Sequence, residues 1–130
     1  MYKRREKFMT YNEKIFYYKL LDLKKKYNYI IQPQINLATI IKKKNHKYAN
    51  DLYRNIDFGI FTDKYDKLLL LIELNDKSHY RKDRKERDKK VKKITEEAGI
   101  KLITFHTKDP NRKEYVINRI LKEIGTEKEK

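Results

Sequence analysis

The spacing of apolar residues along the chain changes period repeatedly, and each change marks an element. Thr10-Tyr11-Asn12-Glu13 has the form of a capping box, in which the Thr hydroxyl and the Glu carboxylate satisfy the backbone at a helix start. Ile15, Phe16, Leu20, Leu21 and Leu23 then recur with helical spacing to about Lys26, predicting an amphipathic first helix. Residues 28–37 (NYIIQPQINL) set Ile31, Ile35 and Leu37 in an extended pattern interrupted by Pro33, which confines the segment to a sheet edge or to a strand with an irregularity. Residues 38–53 keep no clean period and predict a short helix or a loop. His46, among lysine and asparagine, reads there as a solvated loop residue.

The next stretch, from Arg54 to Asp88, organises the chain. Residues 54–61 and 67–74 are rich in Ile, Phe and Leu, and TDKYDK between them is polar turn chemistry, so the pair predicts an antiparallel hairpin. Each run is broken by one carboxylate, Asp57 in the first and Glu73 in the second. Opposed residues in such a ladder have indices of constant sum; pairing Phe61 with Leu68 gives 129, whereas Asp57 with Glu73 gives 130. Within one residue of register the two carboxylates are cross-strand neighbours, about 5 Å apart at Cβ if directly opposed. Glu73 follows five consecutive apolar residues, Leu68 to Ile72, which predicts a strand covered on both faces. A carboxylate is costly there without a compensating cation. Two adjacent carboxylates repel, so either they share one proton or a divalent cation lies between them. With oxygen ligands and no cysteine in the chain, magnesium or manganese is the expected occupant.

Asn75 to Ser78 is polar and ends the second strand of the hairpin. From His79 to about Ala98 the pattern is helical, with Val91, Ile94 and Ala98 as the expected buried stripe. Extended backward, that stripe reaches Asp88, Arg87 and Arg84, which turns charged groups towards the end of the Glu73 strand. Gly99 is the expected C-cap, and Ile100 to Phe105 alternates as a closing strand. Residues 106–110 form a turn, with His106 as a loop residue. Arg112 to Ile124 then predicts a last helix, followed by a frayed tail. The order is helix, three strands, helix, strand, helix: an α/β chain with a mixed central sheet flanked by helices, and one domain over residues 1–130.

Charge sharpens this reading. Lys and Arg number 34 against 19 Asp and Glu, a formal net charge of +15, and an excess of this size calls for a polyanionic partner. Nine basic and three acidic residues fall between Arg81 and Lys93, so much of that excess is concentrated on one helix. A solvated helix face is the plainer alternative, as is a general lysine enrichment from biased nucleotide composition. The absence of cysteine removes disulfides and thiolate metal sites and fits a reducing compartment, so cytoplasm is the expected location. The basic start MYKRREKFMT has no apolar run behind it, so no signal peptide is expected, and the longest apolar run, five residues, is far short of a membrane span. Tyr2, Tyr11, Tyr17, Tyr18, Tyr27 and Tyr29 are interleaved with lysines; they could stack on unpaired bases, although packing at the edge of the core explains them more simply.

A sheet with a carboxylate on one strand and Glu-x-polar on the next, followed by a basic helix, resembles the PD-(D/E)xK nuclease superfamily, whose fold is restriction-endonuclease-like. More narrowly, IDFGIF, LLLLIELNDKSH, RKERD and AGIKLITF are similar to the DUF2726 family and its relatives among very-short-patch-repair-like endonucleases. The similarity runs over roughly residues 10–108 as an ordered set of pieces, none specific alone.

Carried over residue by residue, the resemblance implies Asp57 and Glu73 as metal ligands, with the Leu74 carbonyl as a further one. Asn75 stands where the superfamily has its motif lysine; it can coordinate or orient but supplies no positive charge. Lys77 is the nearest replacement, and His79 matches a histidine of the relatives, with a pKa suited to proton transfer near neutrality. Arg81, Arg84, Arg87 and Lys90 would contact phosphates. Glu13 and Asp88 are accessory candidates, each with a structural alternative: the capping box for Glu13 and a salt bridge for Asp88. The implied function is a magnesium- or manganese-dependent endonuclease that hydrolyses phosphodiester bonds, with DNA the first choice of substrate. The alternative is a nucleic-acid-binding module on the same fold with catalysis lost, which Asn75 motivates. Cutting two strands together would require a second copy, which makes a homodimer a candidate assembly.

Overall fold

A computed structural model describes residues 1–42, 52–75, 82–106 and 112–128, with side chains throughout except at 82–84 and 126–128. Its elements are α1 (Tyr11–Tyr27), β1 (Ile30–Asn36), β2 (Asn55–Phe61), β3 (Leu68–Asn75), α2 (Lys82–Glu97), β4 (Leu102–His106) and α3 (Lys113–Lys128). The order is the one the periodicity predicts.

The capping box forms at α1: the Thr10 amide donates to Glu13 Oε1 at 2.7 Å, and the Glu13 amide donates to Thr10 Oγ1 at 3.2 Å. Asn28, with φ of 58°, ends the helix in the left-handed conformation, and its amide donates to the Lys24 carbonyl. At the end of α2, Gly99 adopts φ of 71°. Its amide donates to Glu96 and that of Ile100 to Thr95, the paired bonds of a Schellman motif.

The four strands form one mixed sheet in the order β1-β2-β3-β4, antiparallel except for the parallel β3–β4 pair at the ends of the α2 crossover. β1 is an edge strand, as Pro33 requires, and its irregularity is Gln34, at φ of 56°. Each face of the sheet carries its own apolar cluster. Phe16, Leu20 and Leu23 of α1 and Val116, Ile120 and Ile124 of α3 pack with Phe58, Ile60, Leu70 and Ile72. Val91 of α2 packs with Leu71, Phe61 and Ile35 on the other side, and Ile94 lies against it. Residues 69–72 are accordingly buried without alternation, as a strand covered on both faces demands.

The hairpin register is resolved by a bulge. Phe61 pairs with Leu68, but Ile60 pairs with Leu70, so Leu69 is the extra residue, and the pairs continue to Phe58↔Ile72. The same register carried one residue further sets Asp57 across from Glu73.

Several sequence expectations are corrected. Ala98 is exposed, and the buried stripe of α2 runs through Val91 and Thr95. A threonine can be buried here because its Oγ1 donates to the Lys92 carbonyl at 3.0 Å. The closing strand begins at Leu102 rather than Ile100, which lies in the helix cap, and it includes His106. The last helix continues past Ile124 to Lys128. Tyr2, Tyr11 and Tyr18 are exposed, so packing at the core edge accounts for Tyr17, stacked near Phe58, for the buried Tyr29 and for Tyr27, which is partly exposed and stacks on Tyr29. His46 lies outside the described residues.

Two predictions follow from these contacts. Glu13 is buried and holds both Thr10 and the Gln34 side chain, whose Nε2 donates to Glu13 Oε2 at 2.6 Å. Glu13→Ala is expected to lower stability in urea unfolding by about 2 kcal/mol, from the lost cap and a stranded amide; a loss below about 0.5 kcal/mol would deny that this carboxylate ties α1 to β1. Asp22 of α1 and Lys113 of α3 form an ion pair at 2.7 Å, and the lysine holds the Asp22 carboxyl below its ordinary pKa. A lowered folded-state pKa contributes stability above the unfolded value and loses it as pH falls through the folded one. The stability gap between wild type and Asp22→Asn should therefore be constant near neutrality and shrink in acid; a gap that grows in acid would contradict the pairing.

Candidate active site

Asp57 and Glu73 come together on adjacent strands, where the paired part of the β2–β3 ladder ends. Beyond Phe58↔Ile72, the Leu74 amide of β3 donates to Asp57 Oδ2 at 2.7 Å. This charge-assisted bond ties the carboxylate to the strand that carries Glu73. β2 also turns over at this point, since Phe58 packs in the α1–α3 cluster and Ile56 in the α2 cluster.

Both carboxylates line a cavity of about 150 Å³ with Leu74, Arg54, Arg87 and Asp88. Arg87 and Asp88 reach it from α2 because residues four and three positions before Val91 share the face that packs on the sheet. Arg87, a phosphate-contact candidate, and Asp88, an accessory candidate, are thus brought to the carboxylate pair. Glu73, Asp88 and Val91 also line a second, adjoining cavity of about 350 Å³, together with Asn75, Lys92, Thr104 and Arg119. The parallel β3–β4 register places Thr104 beside Glu73 and His106 beside Asn75, so β4 extends the polar end of β3 sideways.

The other sequence candidates separate. Glu13 stands apart, in a cavity formed with Gln34 and the segment before α1. Lys90 is exposed and lines neither cavity at the carboxylates. Lys77, His79 and Arg81 lie outside the described residues, as does the side chain of Arg84. Among the described residues, no group of three or more His, Asp or Glu side chains is gathered closely enough to hold a metal ion on its own.

Three cations at these cavities were not assigned by sequence reasoning: Arg54, Lys92 and Arg119. Lys92 follows Val91 directly and so borders the buried stripe of α2. Arg119 stands between Val116 and Ile120 on the buried stripe of α3, and a long side chain at that border can lay its stem along the core and bring its charge to the rim. That signal was present in the sequence. Arg54 precedes β2, where no periodicity marks it.

Asp57 and Glu73 share one cavity and Asn75 borders the adjoining one, so the hard oxygen donors that magnesium or manganese would take are Asp57 and Glu73, with Asn75 beside Glu73. Three carboxylates, Asp57, Glu73 and Asp88, line one cavity in a chain of +15, and cations border it and the adjoining cavity from the residue before β2, from α2 and from α3. Such an arrangement can attract a polyanion while placing its backbone against carboxylates, which is favourable only if a cation mediates between them. No helix among the described residues is long and apolar enough to cross a membrane.

No curated protein and no solved structure matches the chain. Residues 5–124 match the family described as "Protein of unknown function (DUF2726)", and this stretch takes in every element from α1 to β4 and most of α3. The chain therefore belongs to the DUF2726 family, the narrower of the two resemblances in its sequence.

Proposed function

We propose that this chain is a metal-dependent nuclease of the PD-(D/E)xK type, with a restriction-endonuclease-like fold, that hydrolyses phosphodiester bonds in nucleic acid, DNA first among them. The observation that carries the reading is the convergence of Asp57 and Glu73, in cross-strand register, on one cavity with Asp88, Arg54 and Arg87. The αβββαβ order and the mixed sheet agree with that fold.

Hydrolysis adds water across one ester bond: the water oxygen bonds phosphorus, the bond to the leaving sugar oxygen breaks, the water gives up a proton and the leaving oxygen gains one. Asp57, Glu73 and the Leu74 carbonyl would hold magnesium or manganese, with Asn75 orienting or adding an oxygen. The bound cation supplies charge neutralisation at the phosphoryl oxygens and lowers the pKa of water. The Leu74 amide keeps the Asp57 carboxylate in place. Arg54 and Arg87 bind the phosphate backbone, and Arg87 beside Asp88 is the α2 contribution. Lys77 and His79 retain the roles the resemblance implies, orienting water and moving its proton.

Asn75 favours a second reading, a nucleic-acid-binding module without catalysis. The motif lysine normally brings a positive charge to the developing anion, and an amide side chain cannot.

The reading is tested by incubating plasmid, single-stranded DNA and RNA with magnesium or manganese and the wild-type, Asp57→Ala and Glu73→Ala proteins, each shown to be folded by circular dichroism. Cleavage by wild type, reduced about a hundredfold or more in each variant, is the expected result. Salt-dependent binding without cleavage, equal in all three, would replace the nuclease by the binding module, and Asn75→Lys would then be the variant in which to look for activity.

A further inference from the structure

The two cavities at the carboxylates adjoin along Glu73, Asp88 and Val91 and open towards different elements. The smaller carries Arg54 and Arg87, on the β2 side. The larger carries Lys92 and Arg119, on the β4 side. Cations therefore flank the acidic centre on both sides.

Arg119 is the best placed of them. Its Nη1 donates to the Thr104 carbonyl at 2.8 Å, and its guanidinium lies 4.5 Å from the centroid of the Phe105 ring. These two contacts fix the plane of the group against β4, the outer strand of the sheet. Only one of the five N–H donors of an arginine is used by the carbonyl. Among the described residues no carboxylate is in ion-pair contact with Arg119, although Glu73 and Asp88 line the same cavity. A guanidinium pre-oriented at the rim of a cavity is suited to a phosphate, which it can grip through two N–H groups at small entropic cost.

Resting on the nucleic-acid reading above, we infer that Arg119, assisted by Lys92, binds a backbone phosphate on the β4 side of Glu73, while Arg54 and Arg87 bind one on the β2 side. The substrate is then a strand that continues in both directions past the reacting bond, and the helix that closes the chain is part of the binding surface.

The test measures binding of a single-stranded and a duplex DNA oligonucleotide as a function of salt, with calcium in place of magnesium, for wild type, Arg119→Gln, Arg119→Lys and Asp22→Asn. A lost phosphate contact lowers the slope of log K against log salt by about 0.7 for a single strand or 0.9 for a duplex. Arg119→Gln is expected to show that drop and weaker binding, and Arg119→Lys to keep the slope. Asp22→Asn loosens α3 without touching the cavity, so its slope should equal that of wild type even if its Tm falls. An unchanged slope in Arg119→Gln, with wild-type binding intact, would overturn this inference alone. Absence of binding by wild type would overturn the nucleic-acid reading and this inference with it.

Discussion

The β2–β3 ladder gains one residue between Ile60 and Phe61, and the position of both carboxylates depends on that bulge. Because side chains alternate across a sheet, a slip of one residue moves every group to the opposite face. Without Leu69 as the extra residue, the pairing of Phe61 with Leu68 would continue so as to oppose Asp57 to Ile72, a core residue of the α1–α3 face. With it, Phe61 and Leu68 pack towards α2, Ile60 and Leu70 towards α1 and α3, and the alternation arrives at Glu73 opposite Asp57. The sheet is held to this register by burial on both faces: Leu70, Leu71 and Ile72 are fully buried, and a slip would bring Glu73 into the position of one of them.

The electrostatics follow from that placement. Asp57 and Glu73 mark the end of the ladder, where the Leu74 amide reaches a side chain rather than a strand partner. The parallel strand β4 brings Thr104 alongside Glu73. α2, packed by Val91, turns Arg87 and Asp88 to the same place, and α3, packed by Val116 and Ile120, brings Arg119 to its far side. Arg87, Lys92 and Arg119 thus arrive on helices anchored by their own apolar stripes, so core packing brings these cations to the carboxylates.

Periodicity made the element order legible, because the helical stripes and the two-sided Leu run each have a single physical interpretation. It failed where one residue decides the outcome. Five consecutive apolar residues give no indication of which is the bulge, so the hairpin register was open by one. Hydropathy favours Ala98 for burial, whereas Thr95 takes that place because its hydroxyl finds a backbone carbonyl. Asp57, Glu73, Arg87 and Asp88 were legible as a set because their order along the chain could be compared with a family, and Asp57 and Glu73 also by register. Arg54 is not, since no periodicity marks it; Arg119 borders the apolar stripe of α3, but only the fold shows that this border faces a cavity.

The claim on which everything else rests is that Asp57 and Glu73 bind one divalent cation. Titrating the isotopically labelled protein with substoichiometric manganese and recording backbone amide resonances tests it without any nucleic acid. Paramagnetic broadening should appear first at Asp57, Glu73 and Leu74, next at Arg87 and Asp88, and should vanish from all of them in the Asp57→Ala/Glu73→Ala double variant. Broadening that begins elsewhere, or that is indifferent to the double variant, would contradict the account.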